Sequence, residues 1–132
     1  MHHGSCLCGK VQYRYDGVID EISRCHCSQC QKASGTAFVA VTPVVSEKLT
    51  FTEGVGLIKE FRATAGKVRA FCSECGSPLY SARDDIPEIK RLRLGTLDTN
   101  PATDNQYHAF VESKACWDKI LDTYPQYSGF PS

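Results

Sequence analysis

The sequence lacks an excess of charge of either sign and lacks any long apolar run. Among its 132 residues, 15 Lys and Arg balance 15 Asp and Glu, so no basic patch is expected to recruit DNA, RNA or an anionic membrane surface. No segment approaches the roughly 18 apolar residues of a membrane span, and residues 1–5 lack the apolar core of a secretion signal. We therefore expect a cytoplasmic protein with neither nucleic-acid nor membrane partners.

The chain also lacks internal repeats and low-complexity tracts. A length of 132 residues suits one domain that buries a core without disulfides, so residues 1–132 are predicted to form a single domain. His2 and His3 are interpreted as a frayed end or the remnant of a tag, with no function. Cysteine, in contrast, is abundant at eight residues, which in a reducing compartment indicates metal binding or catalysis.

Short strand-like segments with turn residues between them predict a mainly β fold. Val11, Tyr13 and Tyr15 alternate with polar residues, which is the period of a half-buried strand. Residues 28–34 are expected to form a turn or a short helix. The predicted strands cover residues 11–16, 38–42, 49–52, 57–62, 67–71, 79–82, 91–96 and 108–111.

Local signals also predict where these elements end. Pro43 is expected to end its strand, because proline has no N–H to donate to a ladder. Ala65 and Gly66 are expected to connect the two strands of a hairpin. Trp117–Leu121 is expected to form a helical turn, with Trp117 as a core anchor for the C-terminal tail.

Seven of the eight cysteines fall into three closely spaced groups. These are Cys6 with Cys8, Cys25 with Cys27 and Cys30, and Cys72 with Cys75. Gly9 and Gly76 follow the first and last groups, and glycine permits the positive φ that turns backbone N–H groups toward the sulfurs. Cysteines this close in sequence cannot readily form disulfides with each other. We therefore predict a closed structural zinc site, the cysteine quartet, at Cys6, Cys8, Cys72 and Cys75.

The remaining group, Cys25, Cys27 and Cys30, is the cysteine trio. It offers three thiolates and no certain fourth ligand, so a zinc ion there would keep one position open. Three thiolates make zinc a weak activator of water, which suits binding a small thiol better than hydrolysis. The trio is therefore predicted to be catalytic, in forming or breaking a bond between a thiol sulfur and an aldehyde carbon. His26 is predicted to orient the trio or face the substrate.

Several alternatives stay open at this stage. The trio could hold a second structural zinc, completed by Cys116 or His108. The whole chain could be a non-catalytic zinc-binding module for a protein or nucleic-acid partner, or a thiol reductase built on Cys116. Iron could replace zinc, because both metals accept tetrahedral sulfur.

Five stretches carry motifs in a fixed order along the chain. They are residues 4–9 with Val11, residues 25–30 with Lys32 and Gly35, residues 71–76, residues 95–98 and residues 108–117. Together they resemble the glutathione-dependent formaldehyde-activating enzyme family, also called S-(hydroxymethyl)glutathione synthase. The resemblance implies a zinc-bound β-tent of mainly antiparallel strands, a structural zinc at the quartet and an activity-linked zinc at the trio. It also implies a carbon–sulfur lyase whose partner is glutathione or another small thiol. Cys116 departs from the proline that is usual in the family before this tryptophan.

Glutathione carries carboxylates, so the resemblance leads us to expect cations near the trio. The candidates are Lys32, Arg62, Lys67 and Arg69. Ser34 and Gly35 are candidates for a loop beside the open metal position.

Overall fold

The computed structural model describes residues 1–131, so Ser132 of the predicted domain lies outside the described residues. Within residues 1–131, ten strands, one short α-helix and four short 3₁₀ segments make up the fold, which confirms the prediction of a mainly β protein. The elements are β1 (His2–Ser5), β2 (Gln12–Tyr15), β3 (Ile22–Cys25), α1 (Ser28–Ser34), β4 (Val39–Val45), β5 (Leu49–Glu53), β6 (Ile58–Thr64), β7 (Lys67–Cys72), β8 (Pro78–Arg83), β9 (Ile89–Arg93) and β10 (Gln106–Ala109).

The strands form two sheets. The smaller has the order β1-β2-β5, and the larger has the order β10-β3-β4-β9-β8-β7-β6. All pairings are antiparallel except that of β10 with β3, which is parallel. The predicted hairpin is confirmed as β6 and β7. No helix within residues 1–131 has the length and apolar character needed to cross a membrane.

The main core lies where the two sheets meet. Tyr13 and Tyr15 of β2 pack with Val44 of β4 and Leu92 of β9, and all four are almost fully buried. Both tyrosine hydroxyls are satisfied, because Tyr15 Oη accepts a hydrogen bond from the Val45 N–H at 3.1 Å and Tyr13 Oη lies 2.7 Å from Thr96 Oγ1. The alternation of these tyrosines with polar residues in the sequence therefore predicted the buried face of β2 correctly.

Some local predictions were wrong. β4 continues through Pro43 to Val45, because the pairing with β3 ends at Val41 and leaves proline with a neighbouring strand on one side only. The first histidines are not frayed, since His2 pairs with Tyr15 in the β1–β2 ladder. The predicted strand 91–96 ends at Arg93 and turns into a single 3₁₀ turn.

The C-terminal prediction also failed. Trp117–Leu121 forms no helix, and Trp117 is 69% exposed, so it does not anchor the core. The tail is held instead by backbone hydrogen bonds to the end of β10, including Tyr127 N–H to the His108 carbonyl at 2.9 Å. A sequence pattern cannot distinguish a tryptophan that packs inward from one that faces solvent.

Candidate functional site

The cysteine quartet is assembled from two turns that are far apart in sequence. In each turn a glycine has left-handed backbone geometry, with φ of 78° at Gly9 and 79° at Gly76. The Gly9 N–H donates to the Cys6 carbonyl, and the Gly76 N–H donates to the Cys72 carbonyl. The glycine geometry expected from the sequence is therefore present at both turns.

The four sulfurs of the quartet have the spacing of a metal site. All four Sγ atoms lie within 4.8 Å of one another, and Cys8 Sγ is 3.5 Å from Cys6 Sγ and 3.9 Å from Cys72 Sγ. Tetrahedral zinc with Zn–S bonds of about 2.3 Å requires sulfurs about 3.8 Å apart. The donor set and its spacing therefore fit a zinc ion, and the four cysteines are free thiols rather than disulfides.

Hydrogen bonds favour the thiolate form of two members of the quartet, Cys6 and Cys75. The Val11 N–H donates to Cys6 Sγ at 3.3 Å. Hydrogen bonds from Ser77 lower the pKa of Cys75 to about 5. Thiolates are the form that binds a metal, so both contacts favour metal binding.

The cysteine trio lies at the junction of β3 and α1. Cys25 is the last residue of β3, Cys27 caps the helix, and Cys30 lies in its first turn. Cys27 Sγ accepts a hydrogen bond from the Cys30 N–H at 3.3 Å. The three Sγ atoms lie within 4.8 Å of one another, and Cys25 and Cys30 are buried. These three sulfurs could hold a metal ion, with one tetrahedral position left for another ligand.

The environment of the trio shifts the pKa values of two of its thiols in opposite directions. A hydrogen bond from Cys25 lowers the pKa of Cys30 to about 5, with help from Cys27 and from the positive charges of Arg93 and Lys67. The same contact, together with burial, raises the pKa of Cys25. These contacts favour the thiolate form of Cys30, which is the form that binds a metal.

A cavity of about 280 Å³ opens beside the trio. Four cationic side chains line it, and no carboxylate of residues 1–131 does. The cationic wall consists of Lys67, Arg69, Arg91 and Arg93. Within the described chain, none of the four forms an ion pair with an acidic residue. Positive charge without an internal partner makes this cavity suited to an anionic ligand.

Three members of the cationic wall are at least partly shielded from solvent. Arg93 is only 7% exposed, and burial lowers its pKa to about 10. Burial, followed by repulsion from Arg69, also lowers the pKa of Lys67. The Arg69 Nε–H is buried and has no hydrogen-bond partner, although its Nη1 lies 3.2 Å from Gln29 Oε1.

Two of the four cations that were predicted to lie near the trio line the cavity, and two do not. Lys67 and Arg69 line the cavity, as expected. Arg62 is turned away and pairs with Asp84 at 2.7 Å, and Lys32 is exposed and does not line the cavity. Sequence reasoning missed Arg91 and Arg93. Their alternation in a predicted strand puts them on one face, but only the pairing of β9 with β4 and β8 brings that face to the trio.

The other predicted positions near the trio are structural in the described chain. Ser34 Oγ donates to the Cys30 carbonyl at 2.7 Å, and Gly35 ends α1 with φ of 71°. Neither lines the cavity. Cys116 is exposed and belongs to neither cysteine cluster found within residues 1–131.

His26 belongs to a chain of hydrogen bonds that runs from the buried His26 and His108 rings to the exposed Asp122. Its Nε2 lies 2.8 Å from His108 Nδ1, and His108 Nε2 lies 2.9 Å from an Asp122 carboxylate oxygen. Both ring nitrogens of His108 are therefore engaged, so His108 does not complete the metal site. His26 is fully buried and faces this chain, in keeping with an orienting role.

Comparison with known proteins is consistent with this geometry. The sequence profile described as glutathione-dependent formaldehyde-activating enzyme matches residues 1–113. A crystal structure of a Rhodobacter sphaeroides protein is similar with a TM-score of 0.62 and 21% identity, over 75% of this chain and 91% of that chain. At this identity the likeness concerns the fold alone. Comparison with curated proteins finds no significant match. Because the profile spans most of the sequence, the chain belongs to the family of glutathione-dependent formaldehyde-activating enzymes.

Proposed function

We propose that this protein is a zinc-dependent carbon–sulfur lyase that acts on the adduct of an aldehyde with glutathione or another small thiol. Cys25, Cys27 and Cys30 are the proposed catalytic metal ligands, and the cysteine quartet is the proposed structural zinc site. The observation that carries the proposal is the cationic cavity that opens directly on the trio. We extend the proposal to a cytoplasmic location, where a reducing environment keeps such thiols free.

Cys25, Cys27 and Cys30 would hold a zinc ion, whose Lewis acidity would favour the thiolate form of the substrate thiol, the nucleophilic form. In the synthetic direction the thiol gives up its proton, its sulfur attacks the aldehyde carbon, the C–S bond forms as the carbonyl π bond breaks, and the oxygen takes up a proton. In the reverse direction the hydroxyl loses its proton, the C=O double bond re-forms as the C–S bond breaks, the aldehyde leaves and the sulfur regains a proton. No oxidant or reductant is required in either direction.

The cationic wall has two tasks in this proposal. Lys67, Arg69, Arg91 and Arg93 bind the carboxylates of the thiol compound and so orient its sulfur toward the trio. They also stabilise negative charge that develops on the aldehyde oxygen, because fixed positive charges in a confined site act strongly on such an oxyanion. Arg93 and Lys67 already act on the trio, since their charges lower the pKa of Cys30.

The concave shape of the site supports a small-molecule ligand over a macromolecular partner. A cavity of about 280 Å³ lies near the lower end of the range for ligand pockets. Its apolar lining includes Val39 and Val41 beside the trio. A module that binds a protein or a nucleic acid would be expected to present its cations on an open surface instead.

A pair of arginines on the β6–β7 hairpin offers a matched test. Arg69 lines the cavity, whereas Arg62 pairs with Asp84 outside it. We expect Arg69→Gln to raise the KM for the glutathione–formaldehyde adduct by roughly tenfold or more, in line with loss of a charge-assisted hydrogen bond. Arg62→Gln should leave KM within about twofold of the unmutated value.

The rate is followed by NMR of ¹³C-labelled formaldehyde against the uncatalysed reaction. The assignment of glutathione as the substrate thiol is wrong if zinc-loaded protein neither binds glutathione nor changes this rate. Equal effects of the two arginine substitutions would contradict the assigned role of the cavity while leaving the family membership intact.

A further inference from the structure

The C-terminal tail returns to the candidate site after leaving the part of the chain that the family profile covers. The profile ends at residue 113, and residues 125–129 run back along the end of β10. Hydrogen bonds hold this return: His108 N–H to the Pro125 carbonyl at 2.9 Å, and Val111 N–H to the Tyr127 carbonyl at 3.1 Å. The tail therefore lies along the outer side of β10, at the edge of the larger sheet. Phe130, which follows this segment, lines the cavity.

Phe130 lies at a junction between two cavities. It lines the cavity beside the trio and also an adjoining cavity of about 120 Å³. The two cavities share Lys67, Ser81, Arg91 and Phe130. The Phe130 side is therefore where a ligand longer than the first cavity would extend away from the trio.

A second aromatic ring supports Phe130. Phe110 packs edge-to-face on it, with ring centroids 5.1 Å apart and an interplanar angle of 90°. Phe110 itself packs against the buried cluster that contains Cys25 and Cys30. The two rings thus form a continuous aromatic wall from the trio to the tail.

The backbone conformation of Phe110 indicates that the surrounding structure holds this aromatic wall in place. Phe110 has φ of 56° and ψ of 42°, and it is the one non-glycine residue with positive φ in residues 1–131. Bulky residues rarely adopt this left-handed geometry, and where they do the surrounding structure imposes it. Here the Ser113 N–H donates to the Phe110 carbonyl at 3.1 Å, and the Phe110 N–H donates to a backbone carbonyl of the tail.

Phe130 also holds a member of the cationic wall. The Arg91 guanidinium carbon lies 4.4 Å from the centroid of the Phe130 ring, well within the range of a cation–π contact. Arg91 has no acidic partner in the described chain. The Phe130 ring therefore restricts the conformations of the Arg91 side chain, whose guanidinium would otherwise be free to move into solvent.

We propose that Phe130 is a specificity-determining residue: it lines the outer end of the cavity and positions Arg91, so that the site selects thiols carrying carboxylates over neutral thiols. This inference rests on the proposed function and adds to it a selector that lies in the C-terminal tail. The selector comes from the tail, outside the residues that the family profile matches.

Three small thiols of graded charge test the inference by binding, without a turnover assay. They are 2-mercaptoethanol with no carboxylate, mercaptoacetate with one and mercaptosuccinate with two. Isothermal titration of each into zinc-loaded, full-length protein measures the selectivity, defined as the Kd for mercaptoethanol divided by the Kd for mercaptosuccinate. We expect Phe130→Ala to lower this selectivity about two- to fivefold, the range of a partly exposed cation–π contact.

Further variants separate positioning from general damage. Phe130→Tyr keeps the ring and should retain the selectivity, and Leu121→Ala, an exposed tail residue, should leave it unchanged. Arg91→Gln should lower the selectivity, and adding Phe130→Ala to it should lower it no further, because the ring acts through Arg91.

Each other outcome is decisive. If the protein binds thiols but Phe130→Ala keeps the wild-type selectivity, the inference is wrong and the proposed function stands. Full additivity of the Phe130 and Arg91 substitutions would likewise overturn the positioning role. If the unmutated protein binds none of the three thiols, the proposed function fails and the inference fails with it.

Discussion

Replacing Cys27 tests the metal site and the local fold separately. Cys27 has two roles in the structure: its sulfur belongs to the trio, and the same atom accepts the Cys30 N–H at the start of α1. Serine preserves the capping role, because its hydroxyl is among the best N-caps, but it is not a thiolate. Alanine removes both. Cys27→Ser and Cys27→Ala should therefore lose the same metal and differ in stability.

The magnitudes follow from these contacts. The unmutated protein is expected to bind about two zinc ions per chain, and either variant about one, because two remaining thiolates are too few for a stable site. Cys27→Ala should unfold with a free energy about 1 kcal/mol lower than that of Cys27→Ser, the usual cost of losing an N-cap. The quartet should keep its ion in both variants.

Native mass spectrometry with elemental analysis gives the metal count, and urea denaturation gives the free energy of unfolding. Cys116→Ser is the control, since Cys116 is exposed and outside both clusters. Retention of two zinc ions by Cys27→Ser under competition with a chelator would refute the assignment of the trio. Equal stability of the two Cys27 variants would refute the capping role of its sulfur.

Three further predictions concern the rest of the chain. Trp117→Ala should change the free energy of unfolding by less than about 0.5 kcal/mol in urea denaturation, because the side chain is 69% exposed; a loss of several kcal/mol would contradict the exposed position. Burial raises the pKa of Tyr13 to about 12, so its contribution to stability is fully present below pH about 10 and lost as the pH rises toward 12; Tyr13→Phe should flatten this decline in denaturation curves measured across that range. Asp122→Ala should lower the free energy of unfolding by about 1–3 kcal/mol, because it leaves Nε2 of the buried His108 without its partner. An unchanged denaturation midpoint would show that the hydrogen bond between His108 and Asp122 contributes nothing to stability.

Short-range signals predicted the parts of the fold that depend on neighbouring residues. The alternation of Val11, Tyr13 and Tyr15 identified a buried face correctly. The glycines after Cys8 and Cys75 indicated two similar turns, and both have the expected positive φ. These predictions succeed because backbone conformation and side-chain period are determined within a few residues.

Sequence reasoning was less successful where an outcome depends on a distant strand. Arg91 and Arg93 were assigned only to a strand, and the sheet order that brings them to the trio was not predictable from their spacing. The contact between His26 and His108 likewise requires the parallel pairing of β10 with β3, in which His108 lies opposite Arg24. Strand order is decided by the total packing of the sheets rather than by any one segment.

The sequence alone indicated the family, through the resemblance of its motifs. It also predicted the mainly β class and the division of seven cysteines into a quartet and a trio, because strand periods, closely spaced thiols and the glycines beside them can be read from neighbouring residues. Only the tertiary structure decided which charges face the trio. Of the cations predicted near the trio, Lys67 and Arg69 line the cavity, whereas Arg62 pairs with Asp84 outside it. Arg91, Arg93 and Phe130 of the tail also line the cavity. The physical reason is that a ligand site is defined by side chains that meet across strands, and their meeting depends on long-range burial and pairing that no local pattern encodes.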